Sequence, residues 1–390
     1  MLNKDGQRML AYVVKIDAIE PIEGSDNCEA AVIGGWKVMV RKNTFLAEDK
    51  VVYFEVDSLL PADNEAFAFL SKYKFRIKTQ RYTFGGAGRF FSQGLIMPLV
   101  ELGLDENLEI HTDLTAKLGV KYYELEDNKR KAKVDKYRSM MDRHKKLFKH
   151  PLVKKIMRYA IGRKIMFALF GKKRDKGYDW PSHIAAKTDV ERIQNMIWVL
   201  NNKQPYVATE KVDGSSCSIM AERGRFGKIK YYVCSRNVVF KDENQKCFYD
   251  DNIYFEMYNK YNFKEIITKI LNDYHLSNVA IQMEIFGPGV QKRDYSLKEH
   301  DYRVFHIVSN KEKFPMDKVV EICEKYGLKY VPIIDDNYIL PDTIEELQTF
   351  VENEGSKIDG KLKEGIVFYD KKTGSQYFKF VSPEFLMKFH

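Results

Sequence analysis

The apolar positions of this chain change their period twice. Between residues 10 and 100 they fall in short runs, "YVVKIDAIEPI", "EAAVIGG", "WKVMVRK", "KVVYFEVDSLLP" and "FFSQGLIMPL", rich in β-branched and aromatic residues and separated by turn residues. From 121 to 180 they recur at helical spacing inside a basic background: Leu152, Ile156 and Ala160, then Met166, Leu169 and Phe170. Pro151 and Gly162 divide that stretch into two or three helices. From Pro181 onward, strand patterns at 206–211, 216–222, 229–235, 279–285, 302–308, 364–369 and 376–381 interleave with helical patterns at 188–200, 262–274, 315–326 and 342–353. The last helix has Asp342 or Thr343 as its N-cap, ahead of two glutamates.

Strands and helices at irregular spacing indicate an α+β architecture, not regularly wound βαβ units. About five strands in the first hundred residues suit a small β-barrel of the oligonucleotide/oligosaccharide-binding (OB) type, with a compact sandwich as the alternative. The expected domains are an OB-like nucleic-acid-binding domain at 1–120, a basic helical linker at 121–180 and a third domain at 181–390.

The chain has 390 residues, 44% hydrophobic and 31% charged, enough for a core in each of two domains. No run approaches the roughly 18 apolar residues of a membrane span. The opening "MLNKDGQRML" is too polar for a signal peptide. Five cysteines without a CxxC pair argue against a disulfide scaffold or a zinc site, so an intracellular, cytoplasmic protein is expected. The net charge of +9 is unevenly spread. Residues 129–176 hold 19 Lys/Arg against 3 Asp and no Glu, while the rest of the chain holds 45 basic and 52 acidic residues. A block of this kind meets a polyanion, and Lys145, Lys146, Lys154, Lys155, Arg163 and Lys164 are the candidate nucleic-acid contacts. A connector with a solvated face and a basic amphipathic membrane helix are the other readings.

Chemistry concentrates around "YVATEKVDGSSCSI". Val207, Thr209 and Lys211 share one face of a strand that ends in an Asp213-Gly214 turn. A Lys-x-Asp-Gly match arises by chance in about one chain in ten of this length, so alone it reads as a surface turn. The sequence then adds Arg236 in "VCSRN", Glu284 in "AIQMEIFGPGVQ", Tyr302 and Phe305 in "YRVFHI", Glu364 in "KEGIVFYD" and Lys379 in "QYFKFVSPEFL". Each has a bland explanation as a strand-edge carboxylate, a core aromatic or a solvated cation. Their order, with polar residues repeatedly opposite an apolar face, does not.

That order resembles the covalent nucleotidyltransferases, the superfamily of ATP-dependent polynucleotide ligases and mRNA capping enzymes. "KVDG" looks like motif I, "SRN" like Ia, "EIFGPGVQ" like III, "YRVFHI" like IIIa, "EGIVF" like IV and "FKFVSPEFL" like V. The Glu-x-x-Gly-Pro-Gly-x-Gln form and the run 187–195, "KTDVERIQN", are similar to RNA ligases, and the OB-like leading domain is the layout of the Deinococcus-type enzymes. The resemblance covers nearly the whole chain and implies a C-terminal nucleotidyltransferase domain with ATP-grasp-like antiparallel sheets and helices. It also implies an activity: a lysyl-AMP forms, AMP passes to a 5′-phosphate, and a 3′-hydroxyl then displaces it. Nicked RNA-containing duplexes are the implied substrate, ATP and Mg²⁺ or Mn²⁺ the cofactors, and a monomer the expected state.

Carried onto this sequence, Lys211 is the nucleophile and Lys379 its catalytic partner, also on the nucleotide. Glu364 and Glu284 are the metal-associated carboxylates, with Glu284 also on the ribose. Arg236 holds a phosphate or sugar oxygen, Phe305 stacks on adenine, and Glu210 with its backbone reads the adenine edge. Asp213 and Gly214 shape the loop and let the backbone approach the phosphate. A free lysine, with a pKa of about 10.4, is a poor nucleophile at neutral pH, so burial or nearby cations must favour its neutral form. One position departs: related ligases carry Lys-x-Lys in motif V, and here the first position is Tyr377, with Lys371 or Lys372 as candidates to compensate. The chain stops soon after this motif, which favours an RNA ligase over DNA ligases and capping enzymes. The alternatives are a nucleic-acid-binding protein with a decayed ligase fold and a GTP-dependent guanylyltransferase.

Overall fold

The computed structural model describes residues 1–3, 7–84, 88–123, 147, 150–157, 159, 162, 165–166, 169, 179–187, 189–245, 247, 249, 251–372, 374 and 376–389, with the backbone alone at 152, 154 and 155. The chain forms two compact units, one of residues 1–122 with 180–390 and one of residues 123–179.

In the N-terminal region the expected runs break into more strands than five. They are β1 (Ala11–Lys15), β2 (Ala18–Pro21), β3 (Cys28–Ile33), β4 (Trp36–Arg41), β5 (Lys50–Phe54), β6 (Ser58–Leu59), β7 (Thr79–Thr83), β8 (Arg89–Gln93), β9 (Leu95–Pro98) and β10 (Lys121–Tyr122). The pairing β1-β5-β9, β2-β3-β4 and β7-β8 is antiparallel. Strands β1 and β5 are apolar on both faces because both are covered. Val13, Val52 and Phe54 pack with Phe67 and Leu70 of the 3₁₀ helix Glu65–Tyr73, while Tyr12, Val14 and Tyr53 pack with Trp36 and Val38. Two-sided burial is why these strands read as continuous apolar runs, without alternation.

The C-terminal region is built on two sheets. The first has the order β11-β21-β20-β12-β19, with β11 Glu191–Arg192, β12 Pro205–Lys211, β19 Ile333–Ile339, β20 Gly365–Asp370 and β21 Tyr377–Val381. The second has the order β15-β14-β13-β16-β17-β18, with β13 Ser215–Arg223, β14 Ile229–Ser235, β15 Val239–Phe240, β16 Asn278–Phe286, β17 Asp301–Ser309 and β18 Glu312–Lys313. Helices Ile253–Lys260, Phe263–Asp273, Met316–Tyr326, Ile344–Asn353 and Pro383–Phe389 pack around them. Thr343, not Asp342, caps the fourth, in a reciprocal capping box with Glu346. The helix at 253–260 and strand β19 have no counterpart in the sequence reading.

The expected helix at 188–200 does not form. Residues 191–192 instead pair in parallel with Phe378 and Lys379, and short 3₁₀ turns follow at Ile193–Asn195 and Ile197–Asn201. The reason is docking. The Gly35 N–H donates to the Gln194 carbonyl at 2.9 Å, and a Cβ at Gly35 would stand 2.7 Å from Gln194 Cα. Trp36 Nε1 donates to Asn195 Oδ1 at 2.6 Å, and Asn195 Nδ2 donates to Glu55 Oε1 at 3.0 Å.

In the 123–179 unit, Pro151 opens the helix Pro151–Met157. Of the candidate basic contacts, Lys145, Lys146, Arg163 and Lys164 lie outside the described residues, as do the side chains of Lys154 and Lys155.

Glu55 is fully buried and also accepts from Arg8 Nε at 2.9 Å and Tyr12 Oη at 3.1 Å. Burial alone would raise its pKa, but Arg8, the Met1 ammonium that also contacts it and then Arg192 outweigh burial and hold it at about 2, below its ordinary 4.5. A depressed carboxylate contributes stability above pH 4.5 that is lost as pH falls toward 2. Glu55→Gln should cost about 3–5 kcal/mol at pH 7, since it leaves the buried Arg8 charge without its counter-charge. Its acid-unfolding limb should be shallower than wild type between pH 4.5 and 2; parallel limbs in pH-dependent thermal melts would contradict this.

Candidate active site

The pairing of β12, β20 and β21 sets the site. Thr209 lies opposite Val367, which lies opposite Lys379; Lys211 lies opposite Gly365; Val207 lies opposite Tyr369, which lies opposite Tyr377. Residues paired across antiparallel strands share a face, so one row carries Thr209, Lys211, Val367, Tyr369 and Lys379 into a cleft. The other row, Ala208, Ile366, Phe368, Phe378 and Phe380, is core. The cleft, about 720 Å³ with its open mouth, is closed by Ser216, Glu284 and Phe305 from the second sheet and by Asp189, Val190 and Arg236.

Lys211 Nζ is 2.8 Å from Glu364 Oε2. Burial lowers the lysine's pKa, but the carboxylates of Glu364, Glu284 and Asp213 outweigh that and raise it, so the ligand-free protein holds an ammonium here. The strain falls on the acids. Burial and then Glu364 push Glu284 up to about 7, even against Lys211, and they push Asp213 well above its ordinary value. One ammonium among three clustered carboxylates leaves the cleft with room for positive charge.

Phe305 reaches the cleft through an irregularity in the sheet. Gln282 pairs with His306 and Met283 with Val304, so Phe305 is an extra residue on β17. A bulge of this kind re-aims a side chain. It also frees Val304 to pair with the 329–331 segment, donating to the Lys329 carbonyl at 2.8 Å and accepting from Val331 N–H at 2.9 Å.

Glu210 and Gly214 each have a packing partner that the sequence does not name. Glu210 is on the core face of β12, and its carboxylate accepts from the Ser356 hydroxyl and from the Lys357 N–H at 2.8 Å. That side chain ties down the 354–363 loop, and Glu210 also belongs to the cleft lining. At Gly214 a Cβ would stand 2.2 Å from the Ile285 carbonyl, so the close approach of β13 to β16 requires a glycine here. Asp213 is buried beside it, its N–H donating to Tyr295 Oη at 2.7 Å.

Asp189 has no place in the sequence reading of the site. It joins Arg236, at 3.2 Å, to Lys379, at 4.0 Å. Burial would raise its pKa, and Lys379, Arg236 and Arg8 lower it. Its only sequence signal is its place in the run 187–195. Tyr377 stacks on Tyr369 with centroids 5.9 Å apart, and Lys313 sits over its ring at 3.9 Å. Lys371 donates to Asn337 Oδ1 at 3.1 Å, and neither it nor Lys372 lines the cleft, so the expected compensation is not there.

Among the described residues no three His, Cys, Asp or Glu side chains form a metal cage. Glu284 and Glu364 suit a hard divalent cation that keeps most of its water and shares a phosphate, as Mg²⁺ or Mn²⁺ does.

Lys379 is buried, and that burial, with Arg8 adding to it, brings its pKa down to about 7. A lysine lowered on folding destabilises the protein fully below pH 7, and the penalty fades as pH rises from 7 toward 10.5. Lys379→Met should therefore raise the melting temperature by a few degrees at about pH 6, with the gap narrowing by about pH 9.5. A gap that widens with pH would show that the lysine is not held in this way.

Comparison with known proteins matches residues 204–381 to the RNA ligase family and residues 10–99 to an OB-fold domain family. Curated protein sequences give no match. Among solved structures, a lysine-to-alanine mutant of Naegleria gruberi RNA ligase with ATP and Mn is similar, with a TM-score of 0.71, 23% identity, and coverage of 97% of this chain and 98% of that one. The same enzyme with PPi gives 0.71 and 24%, covering 98% and 99%. These likenesses extend the fold across nearly the whole chain. Residues 204–381 thus match the RNA ligase family, behind a stretch that matches an OB-fold domain.

Proposed function

We propose that the protein is an ATP-dependent RNA ligase that joins a 3′-hydroxyl RNA end to a 5′-phosphate end at nicks in duplexes, through a lysyl-AMP. The observation that carries this reading is Lys211 in contact with Glu364 and facing Glu284 in a cleft that also offers Phe305, Lys379 and Arg236. The related Naegleria gruberi RNA ligase structures hold ATP and Mn, or PPi, which fits the same nucleotide here.

In this reading Lys211 Nζ attacks the α-phosphorus. A P–N bond forms, the bond to the β-phosphate oxygen breaks, and pyrophosphate leaves. The proton that the ammonium must lose has Glu364 Oε2 as a base in contact at 2.8 Å. Lys379 and Arg236 face the charge that develops on phosphate oxygens. A divalent cation on Glu284 and Glu364 would supply further positive charge beside the amine and the phosphate. Phe305 offers a ring for the base.

A second reading, a binding protein with a decayed site, draws on Tyr377. The test is incubation with α-labelled ATP and Mg²⁺, with GTP as control. Wild type should keep label through denaturation with ATP and not with GTP. Lys211→Ala should lose it entirely, and Glu284→Gln and Glu364→Gln should lower it at least a hundredfold. Label absent from folded wild type that is not already adenylylated would favour the binding protein.

A further inference from the structure

Away from the cleft, the OB-fold domain carries a second concentration of charge. Between Ala66 and Val100 the sequence holds six Lys/Arg and no Asp or Glu. Three of the six meet carboxylates from elsewhere. Arg76 Nη2 is 2.7 Å from Asp57, while Arg89 Nη1 and Arg81 Nη1 share Glu384, at 2.7 and 3.5 Å. The other three, Lys72, Lys74 and Lys78, are exposed.

The turn that carries Lys74 is fixed by backbone geometry and hydrogen bonds. Lys74 and Phe75 both take the left-handed conformation, at φ 56° and 58°, which non-glycine residues seldom adopt. The turn is fixed from both sides: Phe75 N–H donates to the Leu70 carbonyl at 3.1 Å, and its own carbonyl accepts from Leu60 N–H at 2.9 Å. The same helical turn presents two large rings to solvent, Phe69 at 54% and Tyr73 at 45% exposure.

The strip continues onto the ligase domain. Lys292 is exposed directly after Gln291, whose side-chain amide donates to the Gly214 carbonyl at 3.1 Å. It therefore stands beside the turn that follows Lys211. Burial, then the positive charges of Arg76, Lys292 and Lys74, lowers the pKa of Lys78, with Asp57 the opposing charge. Exposed lysines on a stretch that holds no acid between Ala66 and Val100 favour a polyanion. A phosphate backbone is one, and exposed rings add base stacking at an end or a nick.

We propose that Lys72, Lys74, Lys78 and Lys292, with Phe69 and Tyr73, form the surface on which the phosphate backbone of an RNA-containing duplex lies as its nick reaches Lys211. The proposal rests on the RNA-joining reading of the cleft.

The test uses the full chain and a nicked duplex whose 3′-hydroxyl strand ends in RNA, with binding read by fluorescence anisotropy across a salt series without ATP. The triple variant Lys74→Gln/Lys78→Gln/Lys292→Gln should bind about tenfold more weakly or worse. Its slope of log affinity against log salt should fall by about 2–3, close to 0.9 for each phosphate that no longer faces a lysine. A control, Lys269→Gln/Lys318→Gln/Lys325→Gln, removes the same charge from distant helices and should change affinity less than twofold. Phe69→Ala/Tyr73→Ala should weaken binding without changing the salt slope. Melting temperatures show that each variant folds. Equal effects of the two lysine triples, or no binding by wild type, would overturn the proposal. Lysyl-AMP formation by wild type separates the readings: its absence sinks the ligase reading while the anisotropy result still decides the surface.

Discussion

One ammonium held among three carboxylates is the constraint from which the rest of the structure follows. Lys211 stabilises Glu364 directly and Glu284 and Asp213 through space, yet it cannot satisfy all three, and two are driven upward in pKa. With its pKa raised to about 7, Glu284 is partly protonated near neutral pH. Such an arrangement is poor for stability and good for binding. Positive charge entering between Glu284 and Glu364 would settle both acids and at the same time release the hold that keeps Lys211 protonated. The ligand-free lysine is therefore held as an ammonium, and what would release it is electrostatic.

Holding those charges together needs backbones that approach closely. Gly365 lies between Lys211 and Val381, where a Cβ would stand 2.1 Å from the Phe380 carbonyl, and Gly214 is pressed against Ile285 in the same way. Gly365 thus serves the close pairing of β20 with β21 in the first sheet, and Gly214 that of the β13 start with β16 in the second. The OB-fold domain adds to this field as well as docking against it. Arg8, bound to Glu55, lowers both Lys379 and Asp189, and residues 189–195 run from the cleft to the domain interface. A change in how the OB-fold domain sits would thus be felt as a change in charge at Lys379.

Much of this is legible in the sequence because strands report themselves by alternation. Val207, Thr209 and Lys211 on one face, and Phe378 and Phe380 opposite Lys379, follow from period two alone, and the β12, β20 and β21 spans differ from expectation by a residue. What escapes is set by tertiary contact. Residues 188–200 have a helical pattern, yet Gly35 and Trp36, from the far end of the chain, claim Gln194 and Asn195 and leave only short 3₁₀ turns. The bulge at Phe305 leaves no mark in composition. The Glu210 carboxylate looks free for a base because nothing in "TEKVDG" names Ser356 and Lys357 as its partners. Asp189 and Glu55 matter through residues far along the chain, which a linear reading cannot rank.

The Tyr377 position bears on whether the site is intact. Its ring shares the cleft-facing row with Tyr369 and Lys379 but does not line the cleft; it is stacked on Tyr369, faced edge-on by His306 and covered by Lys313. Its hydroxyl takes a hydrogen bond from Lys313 and reaches the Asp189 carbonyl at 3.5 Å. Burial lowers the pKa of Lys313 to about 8, so even this charge is only loosely kept. A lysine in place of Tyr377 would meet that ammonium at close range. The tyrosine is therefore a coherent local solution, in which an aromatic cluster and a lysine from β18 support the Asp189 backbone. Asp189 in turn fixes Lys379 and Arg236. Loss of selection would be expected to erode the buried charges first, since they cost the most stability, and Lys211, Glu284, Glu364 and Lys379 all remain at the cleft. The tyrosine at 377 is part of how the cations are held, and the charged cleft residues are present beside it.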